Sequence, residues 1–201
     1  MGRTNPHLRQ QMRMRIAQAA ARLMAEDGIQ DYALAKRKAA RQLGGQDTHS
    51  LPTNAEIEEA LRAYQSLYQG AEQAERLRVL RLQACAVMRL MERFNPHLTG
   101  SVLTGTAARH SDINLMLFTD SDKDVELFLL NAGLPYQRGE KRYRFGDSVR
   151  VVPAFTLQHG GPADVNLAVF PTDAIRESPR SPVDGRALPR ARLAEVEALL
   201  A

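Results

Sequence analysis

The chain has 201 residues, of which 44% are hydrophobic and 25% charged, a balance that excludes a disordered chain. No apolar run approaches the length of a membrane span and no signal-peptide pattern opens the sequence, so we expect a soluble cytoplasmic protein without a membrane partner. The single cysteine, Cys85, excludes an intramolecular disulfide, and the formal net charge of +4 favours a polyanionic partner.

Residues 1–72 are predicted to form an all-helical N-terminal segment. Apolar residues recur at helical spacing over residues 12–27, and Asp31 is placed to cap a second helix. Thr53 and Glu56 have the spacing of a capping box that opens a third helix. The segment shows no internal repeat.

The middle of the second predicted helix is basic. Four positive side chains fall within six positions: Lys36, Arg37, Lys38 and Arg41. Such a patch is typical of a surface that contacts RNA, and a solvated helix face is the alternative. Both interpretations place these side chains at the surface.

The opening also resembles a DNA-binding protein. Residues 16–28 are similar to the first helix of a TetR-type repressor, which would make the chain a helix-turn-helix protein. The next helix after the basic one begins with Glu56, Glu58 and Glu59, which DNA phosphates would repel. This alternative is therefore ranked below the interpretations that follow.

Residues 73–175 are predicted to form an α+β core. A long helix over residues 71–93 ends at Asn95 and Pro96, and it leads into the stretch TGSVLTGTAARHSDINLMLF, residues 99–118. This stretch holds two pairs of a glycine and a hydroxyl residue, one at 100–101 and one at 105–106. A glycine lets the backbone approach a phosphate and the hydroxyl supplies a donor, so either pair is a candidate phosphate turn.

Two later segments are predicted as strands with polar residues on one face. In the first, Asp112 and Asn114 alternate with apolar residues that point the other way. A helix over residues 122–131 follows, and then short strands at 143–145, 149–155 and 164–170. The last of these, ADVNLAVF, repeats the form of SDINLMLF, so Asp164 and Asn166 share a face in the same way.

The stretch over residues 103–115 resembles the signature of the polymerase-β-like nucleotidyltransferases. In that family a turn of a hydrophobic residue, glycine and glycine or serine precedes the order Ser-Asp-hydrophobic-Asp-hydrophobic. The resemblance implies a small mixed or antiparallel sheet flanked by helices. It also implies a third acid on a later strand, and Asp164 between Ala163 and Val165 matches that pattern. If the matching position is Asn166 instead, only one of the three acids is present.

The resemblance assigns roles to particular residues. Asp112 and Asp164 would be catalytic, and Mg²⁺ or Mn²⁺ would be held by Asp112, Asn114 and Asp164. Phosphate would be bound by residues in and after the glycine turn: Gly100, Ser101, Gly105, Thr106, Arg109 and Ser111. The spacing to Asp112 favours Gly100 and Ser101 as the phosphate turn. The match of Ala108 and Arg109 to the family's motif favours Gly105 and Thr106 instead.

The chain departs from the family at Asn114, which stands where the second acid is expected. An asparagine oxygen can bind a hard cation but brings no negative charge. The leading hypothesis is therefore a metal-dependent nucleotidyltransferase that moves a nucleotidyl group from a nucleoside triphosphate to a hydroxyl of RNA or protein. The alternative is a catalytically degenerate protein that binds nucleotide or RNA without turnover.

Residues 176–201 are predicted to form a C-terminal arm. A short amphipathic pattern lies around Leu193, Val196 and Leu199. It is preceded by several prolines and by the pair Asp184-Gly185. This composition indicates an extended segment that ends in a short docking helix. Three of the five histidines, at positions 97, 110 and 159, follow or lie in turns, and we expect these three at the surface.

Overall fold

The protein has an α+β architecture in which helices precede a six-stranded mixed sheet. A computed structural model describes residues 6–44, 51–68, 70–108, 111–158 and 161–201. The chain divides into two compact units, Met1–Ala74 with Pro182–Asp184 and Glu75–Ser181 with Gly185–Ala201. The predicted fold class, a small mixed sheet flanked by helices after a helical N-terminal segment, is confirmed.

The first unit contains three helices, α1 (Pro6–Asp27), α2 (Tyr32–Gln42) and α3 (Asn54–Tyr68). Asp31 caps α2 as predicted, because its Oδ1 accepts hydrogen bonds from the backbone N–H groups of residues 33 and 34. Alanines let the helices approach closely, and the buried residues of this core are Ile16, Ala17, Ala20, Ala21, Met24, Ala25, Ala35, Ala39, Ala40, Ile57 and Leu61.

The predicted capping box of α3 is present. The Thr53 backbone N–H donates to Glu56 at 2.6 Å, and the Glu56 backbone N–H donates to the Thr53 hydroxyl at 3.2 Å. Glu56 also accepts two hydrogen bonds of 2.7 Å from the Arg13 guanidinium of α1. These bonds, the two from Arg13 above all, lower the pKa of Glu56 to about 2.

The second unit is built on the sheet. Its helices are α4 (Gly70–Leu90, which begins in the first unit), α5 (Ser101–Thr104), α6 (Asp122–Asn131) and α7 (Leu193–Ala198). Its strands are β1 (His97–Thr99), β2 (Ile113–Phe118), β3 (Tyr136–Phe145), β4 (Ser148–Leu157), β5 (Val165–Phe170) and β6 (Arg190–Ala191). The strand order is β3-β4-β5-β2-β1-β6, in which β2 and β5 are parallel and the other neighbours antiparallel.

The two faces of the sheet bury different residues. One face packs against α4, α6 and α7 through residues such as Leu80, Met88, Leu115, Val125, Leu167 and Val196. The other face buries a smaller group: Met116, Phe118, Phe145, Val152, Ala168, Phe170 and Ala174. By alternation along β2, Asp112 and Asn114 lie on this second face, at its polar end.

Three expectations need correction. The hairpin strands β3 and β4 are each ten residues long, well beyond the predicted 143–145 and 149–155. The C-terminal arm joins the sheet, because β6 pairs with β1 at Leu98 and Thr99. His97 is buried rather than exposed, packs edge-on against Phe118 at 5.1 Å, and has its pKa lowered chiefly by that burial.

Within the described residues, no helix has the length and apolar character needed to cross a bilayer.

Candidate functional site

Parallel pairing of β2 and β5 brings the two repeated polar motifs side by side. Ile113 lies opposite Val165 and Asn114 opposite Asn166. The Ile113 N–H donates to the carbonyl oxygen of Asp164 at 2.9 Å. The backbone hydrogen bonds between β2 and the β5 segment therefore begin at Asp164, one residue before β5. The repeat seen in the sequence therefore corresponds to the two central strands of the sheet, whose polar residues meet at the N-terminal ends of both strands.

Asn166, and not Asp164, is hydrogen-bonded to the Asp112 carboxylate. The Asn166 amide Nδ2 donates to Asp112 Oδ2 at 3.2 Å, and its Oδ1 accepts from the Thr156 hydroxyl at 2.8 Å. These two bonds fix which way the amide points, because its nitrogen can only donate and its oxygen can only accept. The Asp164 side chain is exposed, and its predicted catalytic and metal-binding roles stay predictions.

A lysine that the sequence did not single out completes the arrangement. Lys141 of β3 is half-buried, and its Nζ donates to Asn114 Oδ1 at 2.6 Å. Burial lowers the pKa of Lys141, and attraction to the negative charge of Asp112 opposes that shift. Asp112, Asn114, Lys141, Thr156 and Asn166 are called the polar cluster below.

A signal for Lys141 was present in the sequence. The strand RGEKRYRF alternates so that Lys141, Tyr143 and Phe145 share one face. That face is the inward one, since Phe145 is buried and Tyr143 is half-buried. A lysine in phase with a buried and a half-buried aromatic residue needs a polar partner, and Lys141 has one in the polar cluster.

Gly100 lies beside the polar cluster. Thr99 pairs with Asn114 across β1 and β2, and a Cβ at Gly100 would lie 3.5 Å from Asn114 Nδ2. Gly100 has φ +80° and ψ −160°, a region that is almost restricted to glycine. A Cβ built at Gly105 would have no neighbour within 4 Å. Of the two candidate phosphate turns, the one at residues 100–101 is therefore the one that borders Asn114.

The other predicted phosphate contacts have different surroundings. Ser101 is half-buried at the start of α5. Thr106 is buried with its hydroxyl 3.1 Å from that of Thr104, and the buried Ser111 hydroxyl accepts from the Ala108 N–H at 2.8 Å. Both hydroxyls therefore have partners within residues 104–111. Arg109 lies outside the described residues, as do His110 and His159.

The polar cluster does not fit the divalent ions that the resemblance implies. It contains one carboxylate and two neutral amides, and the Lys141 ammonium already occupies one of the amide oxygens. Mg²⁺ and Mn²⁺ prefer several anionic or neutral oxygen ligands and are repelled by a nearby cation. Among the described residues, no group of three or more His, Cys, Asp and Glu is arranged to hold a metal ion.

The basic patch of α2 lies in the first unit. Arg37, Lys38 and Arg41 are exposed, while Lys36 is half-buried and its pKa is lowered mainly by that burial. Residues 37 and 41 are one helical turn apart, and residue 38 is adjacent to both on the same side. Three of the four predicted RNA-contacting side chains thus form one exposed positive face.

Comparisons with protein-family models, with curated proteins and with solved structures return no match. The fold and the polar cluster define an α+β protein with a half-buried charged and amide-rich site on one face of its sheet, near the N-terminal ends of the central strands. The resemblance to nucleotidyltransferases accordingly rests on the stretch around Asp112 and on the repeat of that stretch at Asp164.

Proposed function

We propose that this chain is a catalytically degenerate nucleotidyltransferase-like protein that binds the phosphates of a nucleotide without transferring them. One observation carries the proposal: the residue hydrogen-bonded to Asp112 is Asn166, at 3.2 Å. If Asn166 takes the position of the third acid, and Asn114 that of the second, one of the three carboxylates is left. The metal-dependent transferase of the sequence analysis becomes the competing hypothesis.

The loss of two carboxylates has a direct chemical consequence. Nucleotidyl transfer at a two-metal site needs anionic ligands that hold both ions, one near the attacking hydroxyl and one near the leaving pyrophosphate. Neutral amides at residues 114 and 166 neither balance the charge of those ions nor accept a proton. Asp112 alone, opposed by Lys141, leaves no net negative charge to attract a divalent ion.

Features suited to an anionic ligand are retained. Gly100 brings backbone close to Asn114 without a side chain in the way, and Ser101 adds a hydroxyl next to it. The Lys141 ammonium supplies positive charge beside them. A nucleotide whose phosphates lie between the glycine turn and Lys141 fits this set of groups. The exposed face of α2, in the first unit, supports RNA as a separate ligand.

The test measures binding and transfer in the same samples. Purified protein is dialysed against each labelled nucleoside triphosphate in EDTA, in Mg²⁺ and in Mn²⁺, and is then incubated with cellular RNA and protein as acceptors. Asp112→Asn is the site variant. Asp147→Asn, an exposed acid in the turn between β3 and β4, is the matched control.

We expect at least one triphosphate to bind in EDTA, and we expect no label in any macromolecule. Asp112→Asn should change the affinity for that triphosphate, whereas Asp147→Asn should not. Label that appears in RNA or protein with Mg²⁺ or Mn²⁺, and that disappears in Asp112→Asn, would instead establish the transferase. If no triphosphate binds under any condition, the chain is not a nucleotide-binding protein.

A further inference from the structure

The position of Lys141 differs from that of an ordinary surface lysine. Its Nζ lies 2.6 Å from Asn114 Oδ1, on the residue that the resemblance assigns to a metal ion. The Asp112 carboxylate is close enough to attract it. The ammonium is therefore next to the oxygens that would otherwise face a divalent cation.

We propose that the Lys141 ammonium is the built-in cation of the polar cluster and takes the place of the divalent metal ion, so that a phosphate-bearing ligand binds there without metal. The identity of the ligand rests on the function proposed above, whereas the replacement of the metal does not.

Hydrogen-bond geometry supports this role. An ammonium has three N–H donors, and one of the three is directed at Asn114. The other two are available for Asp112 and for an incoming phosphate oxygen. A bound metal ion would use the same Asn114 oxygen and would lie close enough to the ammonium for the two like charges to repel. The two cations thus exclude each other.

The charge balance of the cluster agrees with the replacement. One carboxylate and one ammonium leave it neutral, with the amides of Asn114 and Asn166 as uncharged contacts. A site that holds metal ions needs an excess of negative charge, and each amide removes one unit of it. Asparagines in place of acids and the presence of Lys141 therefore both reduce the negative charge of the site.

The first experiment uses Mn²⁺ alone and needs no nucleotide. Free Mn²⁺ is measured by electron paramagnetic resonance in the presence of wild type, Asn114→Asp, and the double variant Asn114→Asp with Lys141→Met. Asn114→Asp with Lys123→Met is the matched control, since Lys123 is an exposed lysine on α6. Circular dichroism verifies that each variant is folded.

We expect no specific Mn²⁺ binding by wild type, and we expect the Lys141 double variant to bind Mn²⁺ at least about tenfold more tightly than Asn114→Asp alone. The Lys123 double variant should match Asn114→Asp. Equal Mn²⁺ affinity of Asn114→Asp with and without Lys141 would overturn the proposal, because the ammonium would then not compete with metal.

A second measurement uses the unmodified chain, so it does not depend on the folding of a variant. Lysines are acetylated with an N-hydroxysuccinimide ester, and mass spectrometry compares Lys141 with Lys123. ATP in EDTA should slow the modification of Lys141 several-fold and leave that of Lys123 unchanged. Protection that appears only when Mg²⁺ is added would overturn the proposal. Absence of protection in both conditions, together with the expected Mn²⁺ result, would refute nucleotide binding and retain the role of Lys141.

Discussion

Asn166 donates a hydrogen bond of 3.2 Å to the Asp112 carboxylate, across the parallel strands β5 and β2. The same amide accepts a bond from Thr156 on β4, so three neighbouring strands are joined by side chains as well as by backbone. An aspartate at residue 166 would reverse the first of these interactions, since two carboxylates would then face each other.

Asn166→Asp is therefore expected to destabilise the second unit at neutral pH by about 1–3 kcal/mol, because Asp112 loses a donor and gains a like charge. The loss should shrink in mild acid, where one of the two carboxyl groups is protonated. Urea unfolding at neutral and acidic pH measures both effects. Asp164→Asn, which alters an exposed acid near the same strand end, serves as control and should change stability by less than about 0.5 kcal/mol. Equal stability of Asn166→Asp and wild type at neutral pH would contradict this contact.

Local signals in the sequence were sufficient for much of the fold. The cap at Asp31 and the capping box at Thr53 involve residues two or three positions apart, so their geometry follows from the chain itself. The polar cluster depends on strand pairing instead. Lys141 and Asn114 are 27 residues apart, and Asn166 and Asp112 are 54 apart. The register of β2 and β5 sets Asn166 opposite Asn114, and the Asn166 amide reaches Asp112, two residues earlier in the chain. The hydrophobic pattern of the two strands predicts neither this register nor the direction of the Asn166 side chain.

The glycines of the two candidate phosphate turns, Gly100 and Gly105, should differ in their response to substitution. Gly100 has ψ −160° at φ +80°, which side chains almost never adopt, whereas Gly105 at φ +87° and ψ 7° is left-handed, a region that asparagine tolerates. We expect Gly100→Asn to cost about 1–3 kcal/mol and Gly105→Asn clearly less than that. Thermal unfolding compares the two variants directly. A larger loss for Gly105→Asn would show that the backbone at Gly100 is not restricted in this way.

Burial of His97 predicts a dependence of stability on pH. The pKa of His97 is lowered in the folded state, mainly by burial, so the unfolded chain binds the proton more readily. Stability should be full above the unfolded pKa of about 6.5 and should fall as the pH drops through that value toward the lower folded pKa. His97→Phe keeps a ring against Phe118 and removes the titration, so its stability should vary less between neutral and mildly acidic pH. Urea unfolding across this range provides the measurement. The exposed His7 gives the control variant His7→Phe, which should keep the wild-type pH dependence.

The exposed positive face of α2 gives a test of RNA binding that is separate from the polar cluster. The triple variant Arg37→Gln, Lys38→Gln and Arg41→Gln should bind single-stranded RNA more weakly. The slope of log K against log salt concentration should fall in magnitude by up to about 2, since each phosphate contact contributes roughly 0.7 to that slope. The control must remove the same net charge elsewhere. Arg22, Arg62 and Arg78 are suitable because each is exposed and lies within 4.0 Å of a glutamate, at 2.9, 3.7 and 3.5 Å respectively.

Fluorescence anisotropy of a labelled oligonucleotide, measured over a series of salt concentrations, compares the two triple variants. If the α2 face contacts RNA, the triple variant at Arg37, Lys38 and Arg41 should lose most of the salt dependence, and the control triple should lose little of it. Equal losses in the two variants would show that net charge alone attracts RNA. The face of α2 would then be a solvated helix surface, since binding that follows total charge does not require these three side chains to meet phosphates.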